Sequence, residues 1–113
     1  MIVAFVRKKR GRHHDYYQLV ESRRVDGKVR QKVLLHLGRH PTVEDALRAW
    51  PRVIQRLRRY AERERESVPK TGDRSRIDQY RLEQAASMER QADDLEEKLG
   101  WLREYEQRGV VPR

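Results

Sequence analysis

The chain has 113 residues, 40% charged and 36% apolar, and a formal charge of +9 from 27 Lys/Arg against 18 Asp/Glu. So short a chain holds one compact domain with at most a helical arm, and so few apolar residues allow only a thin core, which excludes a large multilayered enzyme. The charge favours a phosphate-rich partner, and the lack of cysteine excludes a disulfide framework, a thiolate zinc site and a cysteine nucleophile.

Basic character is uneven along the chain. Residues 1–66 hold 18 Lys/Arg against 8 Asp/Glu, net +10, whereas residues 67–113 hold 9 against 10, net −1. The first half is therefore the one suited to nucleic acid. Ile2 to Val6 are apolar, but the basic run Arg7-Lys8-Lys9-Arg10 follows them, the reverse of a secretory signal, and no apolar stretch is long enough to span a bilayer. The expected location is the cytoplasm, at the nucleoid if the partner is DNA.

Residues 2–9 read as a strand, and Gly11 to Asp15 as a turn. Tyr16 to Val25 and Lys28 to Leu37 flank Asp26-Gly27, whose residue types tolerate the positive φ angles of a type I′ hairpin. Continued without interruption, that turn pairs Tyr16 with Leu37, Val20 with Val33 and Arg24 with Val29. It also pairs Tyr17 with His36, Glu21 with Lys32 and Arg23 with Arg30. One face then holds Tyr16, Val20, Val29, Val33, Leu35 and Leu37, with Arg24 its one charge. This is the face expected to pack inward. The other holds Glu21, Arg23, Lys28, Arg30, Lys32 and His36 around Tyr17, Leu19 and Leu34, and is expected to meet solvent or a ligand.

Gly38 closes the hairpin. Thr42 is placed to cap a helix, with Asp45 at the reciprocal position. Pro51 allows either a short helix over 42–49 followed by a second opening at Pro51, or one kinked helix. Val43, Leu47, Trp50, Ile54, Leu57 and Ala61 keep the helical period across it, while Arg48, Arg52, Arg56, Arg59 and Arg63 form a basic ridge. Ser67 to Asp73 reads as a linker. From Ser75 to about Gln107, Ala85, Met88, Ala92, Leu95, Leu99 and Leu102 are spaced alternately three and four, the seam of a coiled-coil arm. Such a helix is about 50 Å long against about 24 Å for the stretch from Pro51 to Glu66. The seam therefore either folds back on its own sheet and helix or pairs with a second copy. A homodimer or partner interface through Met88, Ala92, Leu95, Leu99 and Leu102 is expected, with Trp101 and Tyr105 as a second packing face.

The fold class expected is α+β: a three-stranded antiparallel β-sheet packed on a helix, followed by a long C-terminal helical hairpin or coiled-coil arm. Its parts are a basic module with a short helix over 1–50 and an arm over 51–113, with a linker at 67–74.

The runs Asp15-Tyr16-Tyr17-Gln18-Leu19-Val20-Glu21-Ser22-Arg23-Arg24 and Asp26-Gly27-Lys28-Val29-Arg30-Gln31-Lys32-Val33, with the exit Leu37-Gly38, resemble the N-terminal segment of bacterial insertion-sequence transposases of the DDE class. The resemblance covers residues 3 to 48. It implies an accessory DNA-contacting part that precedes a catalytic domain, with contact through Arg23, Lys28, Arg30 and Lys32. The remaining length has no room for that ribonuclease-H-like domain and its three metal-binding carboxylates, so transposase chemistry is expected to be absent and a protein of a mobile element or phage is implied.

The residues expected to contact nucleic acid, DNA before RNA, are Arg7, Lys8, Lys9, Arg10, Arg12, Tyr17, Arg23, Lys28, Arg30, Lys32 and His36. Arg and Lys reach base edges and phosphates, and a small sheet enters the major groove. Arg23 opposite Arg30 is repulsive without an anion between them. His13, His14 and Asp15, with His36 and His40, lack ligand spacing, so no metal, cofactor or catalytic residue is expected. The rival readings are an RNA- or ribosome-associated protein and a protein-interaction adaptor or inhibitor.

Overall fold

Asp26 and Gly27 adopt φ angles of 52° and 76°, the type I′ geometry their chemistry favours. They join β2 (Asp15–Val25) to β3 (Lys28–Gly38), and β1 (Ile2–Arg10) pairs with β2 to give an antiparallel sheet of order β1-β2-β3. The structure, a computed structural model, describes residues 2–72 and 75–111. Residues 73 and 74 of the expected linker, and the outermost residues of the two expected parts, lie outside these. Gly11 is required in the β1–β2 loop, because a Cβ there would stand 2.2 Å from the His14 carbonyl oxygen.

The hairpin register is the expected one from Val25–Lys28 to Val20–Val33, and then it shifts twice. Leu19 faces Leu35, Gln18 faces His36 and Tyr17 faces Gly38. The expected pairs Tyr16–Leu37 and Tyr17–His36 therefore do not form. Leu34 and Leu37 are the additional residues on β3, and each such insertion reassigns the residues beyond it to the opposite face. Leu35 accordingly shares a face with Leu19, and His36 shares one with Gln18.

This changes which face packs. Val6 and Lys8 pair with Leu19 and Tyr17, and Val6, Lys8 and Tyr17 line a cavity with Pro41 to Glu44 and Gly109 to Val111. The face of Leu19 and Leu35 thus looks toward the first helix. On the face expected to be inward, Val29 is 60% exposed and Val33 37% exposed.

The first helix, α1 (Val43–Glu66), is one helix with Pro51 inside it. The Thr42 Oγ1 accepts from the Asp45 N–H at 3.1 Å. The Asp45 carboxylate binds Arg48 at 2.8 Å, so the reciprocal half of the expected cap is replaced by an ion pair. The second helix, α2 (Arg76–Arg108), opens with a complete capping box: the Asp78 N–H donates to the Ser75 Oγ and the Ser75 N–H to Asp78, each at 3.1 Å.

The chain forms two compact units. The first comprises residues up to Ala49 and those from Lys98 onward. Leu19, Val20, Leu35, Leu37, Val43, Ala46, Leu99 and Leu102 are its buried apolar residues. Its chain end closes on the sheet: the Val111 N–H donates to the Ala4 carbonyl at 2.8 Å, and Val111 forms a parallel bridge with Phe5.

The second unit comprises Trp50–Glu97, with Trp50, Ile54, Ala61, Val68, Ala85 and Ala92 buried. Its helical segments run antiparallel. Arg58 binds Asp93 at 3.0 Å and Glu96 at 2.6 Å, and Arg65 binds Glu89. The hydrogen bond from Arg65 leads in holding the Glu89 carboxyl below its ordinary pKa, and burial opposes it. The expected seam is covered by the chain itself: Ala85, Ala92, Leu99 and Leu102 are buried, and Met88 and Leu95 are half-buried. Trp101 is exposed, and Tyr105 lies 5.9 Å from the Arg108 guanidinium in a cation–π contact.

Candidate nucleic-acid interface

Every residue from Arg23 to Val33 is exposed. The end of the β2–β3 hairpin is therefore open on both sides. Arg23, Lys28, Arg30 and Lys32 share one face, and Arg24, Val29, Gln31 and Val33 the other. The register sets Arg23 directly opposite Arg30, an arrangement that repels. Glu21 binds Arg23 along its own strand at 2.8 Å and forms no ion pair with Lys32, which it faces in the register. Arg30 and Lys32 are thus left without a carboxylate partner among the described residues.

Strand alternation divides the N-terminal basic cluster. Lys8 forms an exposed ion pair with Asp15 at 3.2 Å, whereas Lys9, Arg10 and Arg12 are exposed and form no ion pair among the described residues. Arg7 has a different setting from the one expected. Its Nη1 donates to the Gln31 Oε1 at 2.8 Å and its Nη2 to the Gln18 Oε1 at 2.9 Å, while the Gln18 Nε2 lies 3.4 Å from the His36 Nδ1. The Arg7 side chain thus crosses from β1 over β2 to β3. Val20 lies between Gln18 and Ser22 on this face, opposite Phe5 and Val33, and is fully buried. The Arg7 Nε is buried without a hydrogen-bond partner. The result is a cationic polar row across the sheet, on the opposite face from Arg23 and Arg30.

Of the other expected site residues, His36 leaves the face of Arg23, and Tyr17 stays on it at the far end of β2. His36 joins the Arg7 row through the register shift. Tyr17 is half-buried and lines the cavity of about 600 Å³ beside Pro41 to Glu44 and Glu106. The expected residues therefore do not form one surface. Arg23, Lys28, Arg30 and Lys32 are brought together, Arg7 and His36 lie on the reverse face, and Lys8 and Tyr17 face the cavity. Gln18 and Gln31 were missed. The β1–β2 register that sets Gln18 opposite Arg7 would have disclosed the first, but no short turn residue pair fixes that register.

No helix among the described residues is long and apolar enough to cross a membrane. Residues 3–72 match the family model described as IS1634 family transposase, N-terminal domain. The match extends past the hairpin through the whole of α1. No curated protein and no solved structure shows a significant match to the chain. With well over half its length in that match, and with the basic hairpin and following helix inside it, the chain belongs to the IS1634 transposase family through its N-terminal domain.

Proposed function

We propose that the chain binds duplex DNA of a mobile element, with the β2–β3 hairpin end as the contacting surface and binding rather than bond cleavage as its role. The observation that carries this reading is the exposed segment Arg23 to Val33, in which Arg23, Arg24, Lys28, Arg30 and Lys32 surround a single acidic residue, Asp26. Arg30 and Lys32 project to the same face about 6.8 Å apart, two residues along a strand. Arg presents a fork that matches guanine O6 and N7, and Lys presents a point charge for phosphate. Lys9, Arg10 and Arg12 add exposed charge at the far end of β1.

Duplex DNA is favoured over RNA because the major groove of B-form DNA admits a β-ribbon, whereas that of an A-form helix is too narrow for side chains to read. The test is fluorescence anisotropy with duplex DNA and structured RNA across a salt series. The expected result is a preference for the duplex, with a log–log salt slope that corresponds to several phosphates. Tighter RNA binding would replace this reading with the RNA-associated one. No binding at about 50 mM salt, where phosphate contacts are strong, would move the function to protein partners.

A further inference from the structure

We propose that α1 carries a second phosphate-contacting surface, formed by Arg52, Arg56, Arg59 and Arg63 with Tyr60 and Gln55, that lies along the backbone of duplex DNA. This rests on the DNA-binding reading and adds to it a contact that the hairpin does not supply.

The arginines of α1 are sorted by their surroundings. Arg48 is paired with Asp45, Arg58 with Asp93 and Glu96, and Arg65 with Glu89. Arg52, Arg56, Arg59 and Arg63 form no ion pair among the described residues, and each is exposed. With 3.6 residues per turn, these four fall within an arc of about 60° on the side away from Ile54 and Ala61, which are buried. Together with Gln55 and Tyr60 they line a shallow concavity of about 280 Å³. Tyr60 is 48% exposed and adds a hydroxyl donor to the guanidinium groups.

Like charges three and four residues apart destabilise a helix, so a row of this kind is relieved by an anion that spans it. From Arg52 to Arg63 the helix rises about 16 Å, the distance over which about five phosphates of one DNA strand are spread along the duplex axis. A bilayer is a poorer match, since interfacial helices insert an apolar face and the apolar face of α1 is already buried. The ridge also falls within the segment that matches the transposase N-terminal domain.

The test compares two charge-matched variants of the whole chain with the unsubstituted chain and with a hairpin variant, Arg23→Ala with Arg30→Ala. One carries Arg56→Gln with Arg59→Gln; the other carries Arg90→Gln with Arg103→Gln on α2, where both arginines are exposed. Duplex binding is measured by anisotropy over a salt series, and circular dichroism checks helix content. The expected result is a salt slope lower by about 2 for the ridge variant, an unchanged slope for the α2 variant, and residual low-salt binding by the hairpin variant. Equal slopes for the ridge and α2 variants, with DNA binding retained, would overturn the ridge and leave the hairpin reading standing. Loss of all DNA binding in the hairpin variant alone, with the ridge variant unaffected, would also overturn it. Absence of DNA binding by the unsubstituted chain would overturn both. Ridge-dependent capture of anionic phosphatidylserine vesicles without DNA binding would assign the surface to a membrane instead.

Discussion

Arg30→Thr separates folding from binding, because the two effects have opposite sign. Arg30 stands directly opposite Arg23 on an exposed strand end. Two unit charges about 6 Å apart in water repel by about 0.7 kcal/mol, and a Debye length of about 10 Å at 0.1 M salt reduces this by about half. Glu21, bound to Arg23 at 2.8 Å, offsets part of the remainder, so relief of about 0.3 kcal/mol is expected. Threonine suits a strand and adds no strain. For a chain of this size the gain corresponds to a rise in Tm of about 1 °C, readable by differential scanning calorimetry. DNA affinity moves the other way: a loss of about 1–3 kcal/mol for a base-edge contact, or a salt slope lower by about 1 for a phosphate contact. Unchanged affinity and slope would remove Arg30 from the interface. A fall in Tm of more than about 5 °C would show that Arg30 holds the fold together, and would refute the account of the hairpin end as a repulsive, ligand-facing surface.

Other expectations concern the fold beneath the interface. Gly27→Ala forces a residue with a Cβ to φ 76° and should cost about 1 kcal/mol; an unchanged chemical-denaturation midpoint would argue against a type I′ turn. Leu102 is fully buried, so Leu102→Ala should destabilise by about 2–5 kcal/mol, and a loss below about 1 kcal/mol in urea titration would show that the end of α2 packs loosely. The Glu89 carboxyl is held below its ordinary pKa chiefly by its hydrogen bond from Arg65. Its stabilising contribution is therefore present above the unfolded-state pKa and is lost as pH falls through the lower folded value. Thermal melts between pH 6 and pH 3 should show a smaller decline for Glu89→Gln than for the unsubstituted chain, and parallel declines would remove this pair from the acid response.

What local chemistry dictates was legible along the chain. Asp26-Gly27 specified the turn because few residue types accept two successive positive φ angles, and the register near that turn followed from it. Thr42 marked the start of the first helix because an unpaired helical N–H needs a nearby oxygen, and periodicity marked the second from Ser75. The alternate three and four spacing from Ala85 to Leu102 marked a buried stripe whatever covers it. The basic half was likewise plain from charge alone.

Features that depend on contacts distant in sequence were decided by the tertiary structure. Beyond Val20 the turn no longer controls pairing. The insertions at Leu34 and Leu37 set Leu35 on the face of Leu19, which was expected to be outward, and reverse the face of His36. Arg7 reads as one of four consecutive charges until β1 is paired, and only then does its guanidinium reach Gln18 and Gln31 across the sheet. The sorting of α1 arginines into paired and unpaired groups likewise required the acidic residues of α2 to be brought alongside. Turns, caps and periodicity are determined by a few neighbouring residues, so the sequence by itself determined them. Which face a strand buries, and which charges are neutralised, follow from the balance of burial and pairing among distant segments, which exists only once the chain has folded.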